Sequence, residues 1–177
     1  MKIQFPDDIN RMSDIVLLII MFVLCQKYNI SLVYLLKFKF SIFLLNPFLK
    51  NIIFRPLIGN KTLPIIGRGM RPDGAKNCSF IRDDLFDTSI ISKISTSYGF
   101  PSGHSQSAGY FMAFIYKYFK NNNIIFYLSL LYSLYIPFTR VQLGCHTIQQ
   151  TIFGYIFGII IFHLLDTISF KSQTKKV

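Results

Sequence analysis

Long apolar runs separated by short polar stretches dominate this chain of 177 residues. A helix needs about 20 apolar residues to cross the hydrocarbon core of a bilayer, which is about 30 Å thick. Hydrophobic residues make up 51% of the sequence, so a membrane is the expected surrounding for much of the surface. The pattern predicts an all-α fold, a polytopic membrane helical bundle of about five spans in a single domain, residues 1–177. The five runs are 15–25, 30–54, 105–119, 124–138 and 147–165.

One long polar segment, 55–98, interrupts the apolar runs. It is rich in Gly, Pro, Asn, Asp and Ser, and it contains the turn signals Arg-Pro, Ile-Gly-Asn and Pro-Asp-Gly. These features predict a long extramembrane loop, and a loop of this length in a small protein is usually functional or disordered. Its aspartates, Asp83, Asp84 and Asp87, are interpreted as hydrated loop charges and not as a cation site.

The charge of the chain limits its partners. Its 19 Lys and Arg against 8 acidic residues give a formal net charge of +11, which suits anionic lipid head groups and phosphorylated substrates. The basic residues are scattered between apolar runs instead of forming a stripe beside a nucleic-acid-binding motif. We therefore expect the lipid bilayer and a phosphorylated lipid as partners, and no nucleic acid.

The three cysteines, Cys25, Cys78 and Cys145, lie far apart in the sequence and include no Cys-x-x-Cys pair. Neither a zinc site nor a disulfide framework is indicated by this spacing. We therefore expect buried thiols, and we expect no metal or cofactor.

The short connections between the last three runs predict antiparallel neighbouring helices. If these helices alternate in direction, the start of the third run, the end of the fourth and the start of the fifth lie on one face of the membrane. His104, Arg140 and His146 then converge, and Lys50 must reach the same face because the second run joins the loop there. Residues far apart in the sequence are thus predicted to form one cluster.

This cluster has the composition of a phosphate-binding site. Helix N-termini and arginine side chains both favour doubly charged oxyanions, and the Ser-Gly turn before His104 offers backbone N–H groups. Gln150 follows His146 by one helical turn and can orient its ring. A histidine held in this way can attack phosphorus while a second histidine protonates the departing oxygen.

Three stretches of sequence resemble the signatures of a known family. "PSGHS" at 101–105 and "TRVQLGCHTIQQ" at 139–150 resemble the second and third signatures of the type 2 phosphatidic acid phosphatase (PAP2) superfamily, and "LNPFLKNIIFRP" at 45–56 resembles the start of the first. The resemblance implies a metal-independent membrane lipid phosphatase or diphosphatase, with His146 as the nucleophile that forms a phosphohistidine and His104 as the general acid. It also implies phosphate binding by Lys50, Ser102, Gly103, Arg140 and either Arg55 or Arg71.

Two departures from the family pattern leave alternatives open. Leu57 stands where the first signature has arginine, and Gln150 stands where the third has aspartate. The dolichyl diphosphatase branch of the superfamily also carries glutamine there, which favours a polyprenyl diphosphate as substrate. Because an amide has no charge to stabilise an imidazolium, we expect slower chemistry than with aspartate. The alternative is a catalytically impaired relative that binds phospholipid head groups.

Positive charges at the opposite ends of the helices predict the orientation. Cytoplasmic loops are enriched in Lys and Arg, so the candidate site is expected on the non-cytoplasmic face of an integral, multi-pass membrane protein. The first run is interpreted as an uncleaved anchor. The lysines that indicate the cytoplasmic face are Lys117, Lys120, Lys171, Lys175 and Lys176.

Overall fold

The computed structural model describes residues 12–75, 78 and 98–174, with side chains up to residue 168. The loop aspartates at 83, 84 and 87, the side chain of Lys171, and the lysines at 175 and 176 lie outside this description. Within it the chain forms five long helices and one short hairpin. The helices are α1 (Ser13–Lys27), α2 (Val33–Ile58), α3 (Gly103–Phe119), α4 (Asn123–Gln142) and α5 (Ile148–Thr174).

Three helices in the described part are long and apolar enough to cross a membrane: Val33–Ile58, Asn123–Gln142 and Ile148–Ile168. Each carries large apolar side chains on its outer surface, such as Phe43 on α2, Leu131 on α4 and Leu164 on α5, as expected of an integral membrane protein. The prediction of a membrane helical bundle is confirmed. The count of five spans stays a prediction, because α1 has 15 residues and α3 has 17.

Helix α3 forms the centre of the bundle and is buried on all sides through most of its length. It packs most closely against α5, where glycines allow the two backbones to meet. A Cβ atom at Gly109 would collide with the Tyr155 backbone, and one at Gly158 would collide with the Gln106 carbonyl. A Cβ atom at Gly154 would likewise collide with the Ser102 carbonyl, so the four-residue spacing of Gly154 and Gly158 permits close helix contact.

Helix α2 departs from regular α geometry in two π-helical stretches, Ser41–Leu45 and Leu49–Phe54. Such stretches are rare and are often found at functional sites. The helix continues through Pro56 and ends at Ile58, with Gly59 at a positive φ of 55°. The prediction that the loop begins at Arg55 is therefore wrong. The helix accommodates Pro56 because this residue lies where the hydrogen-bonding pattern changes from π to the last α turn, and proline is tolerated at such a position.

The chain after α2 folds back over the helix ends. Strand β1 (Thr62–Leu63) pairs antiparallel with β2 (Gly67–Arg68). The next residues lie against the segment before α3, because the backbone N–H groups of Gly99 and Phe100 both donate to the Gly69 carbonyl, at 2.9 and 3.1 Å. This path carries the loop towards the beginnings of α3 and α5.

The opposite end of the bundle is held by a polar cluster. Lys117 on α3 forms an ion pair with Asp166 on α5 at 2.6 Å, and the Tyr34 hydroxyl on α2 donates to the same carboxylate at 2.6 Å. This cluster joins three helices at the end away from His104, so each face of the bundle carries distinct polar groups.

Candidate active site

His104 lies in the first turn of α3, and the residues before it explain why the helix begins there. Ser102 is the N-cap residue, with extended backbone and a hydroxyl that accepts from the Ser105 backbone N–H at 3.5 Å and the Ser105 hydroxyl at 3.1 Å. This side chain is fully buried. The structure places the Ser102 hydroxyl in the helix cap and not in the wall of the cavity described below, whereas Gly103 lines that wall.

His146 lies in the turn between α4 and α5. Helix α4 continues past Pro137 through Arg140, further than the apolar run predicts, and ends at Gln142. The backbone N–H groups of Cys145 and His146 both donate to the Arg140 carbonyl, at 3.0 and 3.2 Å, and Gly144 has a φ of 65°. This C-terminal turn satisfies a helix carbonyl and turns His146, which is 2% exposed, into the interior.

Gln150 and Thr147 form a capping box at the start of α5. The Thr147 hydroxyl accepts from the Gln150 backbone N–H at 3.3 Å, and Gln150 Oε1 accepts from the Thr147 backbone N–H at 3.2 Å. This reciprocal pair is a recurrent way to satisfy the first N–H groups of a helix. It fixes Gln150 Oε1 beside the His146 ring, with Oε1 at 3.1 Å from Nδ1.

The other end of the Gln150 amide determines which histidine tautomer fits. Its Nε2 donates to the carbonyls of Arg68 and Met70, at 2.8 and 2.7 Å, so Oε1 faces the ring. Because that oxygen only accepts hydrogen bonds, the His146 Nδ1 carries the proton and its Nε2 keeps a lone pair. The amide thus holds the ring in the tautomer that a nucleophile requires.

A cavity of about 220 Å³ lies between the two histidines. Both line it, together with Lys50 from α2 and Arg71 from the loop after β2. Arg55 lies exposed on the last turn of α2 and does not line it. Of the two candidate arginines, the structure therefore brings only Arg71 to the histidines. The remaining lining residues are Asp14, Ile42, Asn46, Pro47, Asn51, Cys78 and Gly103.

The surroundings of His146 favour its neutral form. Burial, followed by the positive charges of Arg71, Lys50 and Arg140, holds the pKa of His146 well below its usual range, while the contact with Gln150 acts weakly in the opposite direction. Burial disfavours the charged imidazolium, and nearby cations do the same. The ring is therefore uncharged at neutral pH.

Arg140 lies behind the cavity wall instead of in it. Its side chain is fully buried at the end of α4, and its guanidinium donates to the Cys78 carbonyl. Its charge still acts on the His146 ring. Arg140 therefore interacts both with His146, through its charge, and with the loop, through the Cys78 carbonyl.

Cys78 and Cys145 form a disulfide, which corrects the expectation of three buried thiols. Their Cα atoms are 5.5 Å apart although the residues are 67 positions apart in sequence. Only Cys25, among the cysteines, is a free buried thiol. The sequence spacing could not reveal the pair, because the cysteines meet only when the loop folds back over the helix ends. The bridge ties the loop to the residue that precedes His146.

Asp14 and Asn46 are polar lining residues that sequence reasoning missed. The carboxylate of Asp14, in the first turn of α1, has Oδ2 at 3.8 Å from His104 Nε2. The Asn46 amide donates to Gln106 Oε1 at 2.8 Å. Asn46 precedes Lys50 by one helical turn and could have been found from that spacing. For Asp14 the only sequence signal was the helix order. If α1 and α2 run antiparallel, the N-terminus of α1 lies on the same face as the C-terminus of α2.

Within the described residues, no group of three or more His, Cys, Asp or Glu side chains is placed so that it could hold a metal ion. The polar lining consists mainly of cations, amides and imidazoles. Such a lining is suited to an oxyanion.

Comparisons with known proteins identify the fold and the family. The fold resembles the crystal structure of the first transmembrane PAP2 type phosphatidylglycerolphosphate phosphatase from Bacillus subtilis, with a TM-score of 0.56 and 20% sequence identity over 97% of this chain and 80% of that one. The comparison with curated proteins gives no match. The model of the PAP2 superfamily matches residues 35–173, which includes both histidines, Lys50 and Arg71. The chain therefore belongs to the PAP2 superfamily.

Proposed function

We propose that this protein is a membrane lipid phosphatase that hydrolyses a phosphate monoester or diphosphate through a phosphohistidine on His146. The observation that carries the proposal is the meeting of His104, His146, Lys50 and Arg71 around one cavity. Membership of the PAP2 superfamily supports the same reaction class.

The first step transfers the phosphoryl group to the enzyme. The lone pair on His146 Nε2 attacks phosphorus, and the bond between phosphorus and the leaving oxygen breaks. The electrons of that bond stay with the oxygen, which takes a proton from His104 and departs as an alcohol or, from a diphosphate, as a monophosphate. Gln150 accepts the hydrogen bond from Nδ1 throughout.

The second step releases inorganic phosphate. A water molecule attacks the phosphorus of the phosphohistidine and gives a proton to His104. The bond between phosphorus and Nε2 breaks, and its electrons return to the His146 ring. Both histidines then have the protonation states with which they began.

Cations stabilise the negative charge during both steps. Lys50 and Arg71 line the cavity and are assigned to the phosphoryl oxygens, with the Gly103 backbone at the N-terminus of α3. Arg140 acts from behind the wall through its charge. Because these groups can neutralise the transition-state charge, the scheme requires no metal.

A polyprenyl diphosphate is the substrate class that we favour. The support is the similarity of residues 99–106 and 139–150 to the dolichyl diphosphatase branch, including glutamine at 150. The Gln150 geometry agrees with a working site, since the amide holds His146 in a usable tautomer.

The site is proposed to lie on the non-cytoplasmic face. Disulfides form and persist in oxidising compartments, and the Cys78–Cys145 bridge lies at the site. Lys117 lies at the other end of α3, as expected for a cytoplasmic end. A reporter fused after Val177 should be cytoplasmic, and a reporter on the opposite side would overturn this orientation.

Phosphate release from the detergent-solubilised protein tests the function. Phosphatidic acid, phosphatidylglycerolphosphate and a polyprenyl diphosphate are assayed in parallel, with and without chelator. We expect release that persists with chelator and is fastest with the diphosphate. No release from any of them, together with binding to vesicles that contain phosphatidic acid, would instead support the alternative of an impaired relative that binds head groups.

A further inference from the structure

Asp14 places a carboxylate in the wall of the cavity, and neither step of the proposed reaction uses it. It lies in the first turn of α1, and its Oδ2 is 3.8 Å from His104 Nε2. Its Oδ1 is buried without a hydrogen-bond partner. The side chains of His104 and Asp14 are 12% and 28% exposed, so water screens their interaction only in part.

Among the described residues, the charged groups that line the cavity with His104 come from four parts of the chain. Lys50 from α2, Arg71 from the loop and, when protonated, His146 from the turn before α5 all favour a neutral His104 ring. Asp14 from α1 acts in the opposite sense. Among the described lining residues it is the one acidic side chain.

We propose that Asp14 is a positioning residue that keeps His104 protonated and oriented for proton donation to the leaving oxygen. This inference rests on the proposed function. A distance of 3.8 Å is too long for a hydrogen bond, so the carboxylate acts on the ring through its charge. In the first step the His104 proton moves to the leaving oxygen, and in the second step a proton from water restores the imidazolium beside Asp14.

Two simpler roles for Asp14 lead to different results. An acidic residue in a first helical turn stabilises the helix. If this is the main role of Asp14, its removal would lower the stability of the protein and would not discriminate between substrates. Asp14 also interacts electrostatically with Lys50. If that contact is its main role, its loss would weaken phosphate binding equally for all substrates.

Substrates with different leaving groups distinguish these roles from proton donation. An alkyl phosphate needs a proton on its departing oxygen, whereas p-nitrophenolate departs without one. The values of kcat/KM are therefore measured for a lipid phosphate and for p-nitrophenyl phosphate with the wild type, Asp14→Asn, Asp14→Glu and the control Asp73→Asn. Asp73 is an exposed carboxylate paired with Arg68 outside the cavity.

For Asp14→Asn we expect a loss of about 10- to 100-fold with the lipid and less than about threefold with p-nitrophenyl phosphate. The alkaline limb of its pH profile should move to lower pH, because the imidazolium loses its counter-charge. Asp14→Glu should recover part of the activity, and Asp73→Asn should match the wild type.

Equal losses with both substrates, or an unmoved alkaline limb, would overturn the role of Asp14 while leaving the proposed function intact. A wild type that releases phosphate from neither substrate would overturn the proposed function and this role together. Thermal unfolding of each variant is measured alongside. A drop in stability with unchanged kcat/KM would assign Asp14 to the helix and also overturn the proposal.

Discussion

The two histidines of the site have opposite surroundings. His146 is 2% exposed, contacts the neutral amide of Gln150 and is surrounded by three cations. His104 is also largely buried but faces the carboxylate of Asp14. One ring is thus held neutral with a lone pair, and the other is held next to a negative charge.

Under the proposed mechanism, this difference divides two tasks between identical side chains. A nucleophile needs a lone pair, while an acid needs a proton, and environments that push two pKa values apart assign the roles. The family pattern has an aspartate beside the nucleophile, whereas here the carboxylate of Asp14 lies near His104, the proposed acid. On this account the glutamine at 150 is not a sign of lost activity.

Removing the nucleophile gives the largest expected effect. His146→Ala should lower phosphate release by at least about a thousandfold, because no other group forms the covalent intermediate. His163→Ala is the matched control, since His163 is exposed and does not line the cavity. Both are assayed with the same lipid substrate. Comparable activities of the two variants would contradict the assignment of His146.

The two candidate arginines provide the next comparison. Arg71→Ala should lower kcat/KM by about a hundredfold, because a preorganised cation is lost from the phosphoryl group. Arg55→Ala should stay within about twofold of the wild type, since Arg55 is exposed and does not line the cavity. Kinetics of both variants check this, and the reverse order would assign the phosphate to Arg55.

Replacing Gln150 by the aspartate of the family pattern tests whether His146 needs a neutral partner. The sequence alone predicts faster chemistry with aspartate at 150, but the contacts of the Gln150 amide reverse that expectation. Gln150→Asp should lower kcat/KM by about tenfold or more and reduce thermal stability, because a carboxylate cannot donate to the Arg68 and Met70 carbonyls. Gln150→Asn retains a donor and serves as the control for shortening. A gain of activity in Gln150→Asp would show that the amide limits the reaction.

The disulfide should have a smaller influence. Cys145→Ser should lower kcat several-fold, since the loop that carries Arg71 and contacts Arg140 loses its covalent tie. Cys25→Ser is the control, because Cys25 is a buried free thiol. Treatment with a reductant should affect the wild type but not Cys145→Ser. Equal responses of the two proteins would contradict a role for the bridge.

A pH profile gives the smallest and most specific signal. The pKa of His146 lies well below its usual range, so the ring becomes protonated only at a pH below 6.5. The acidic limb of kcat/KM should therefore lie below that value. In Arg71→Ala one cation is removed, the pKa of His146 rises, and the normalised limb should move to higher pH. The profile is measured between about pH 4 and 8. A limb that does not move would show that Arg71 is electrostatically remote from His146.

Local sequence signals predicted the helices and the histidine pair, because apolar runs and helix starts depend on nearby residues. Contacts made by the loop were harder to predict. The disulfide, the choice of Arg71 over Arg55 and the bonds from Gln150 to the Arg68 and Met70 carbonyls all depend on the path of the chain after β2. No local periodicity encodes that path.

Trapping of the phosphoenzyme tests the central claim most directly. The protein is mixed with labelled p-nitrophenyl phosphate, quenched in alkali within milliseconds and digested for mass spectrometry. The account predicts an acid-labile phosphate on His146 that is absent from His146→Ala and accumulates in His104→Ala, where activation of water is slow. Label on another residue, or turnover of the wild type with no label on His146, would contradict it.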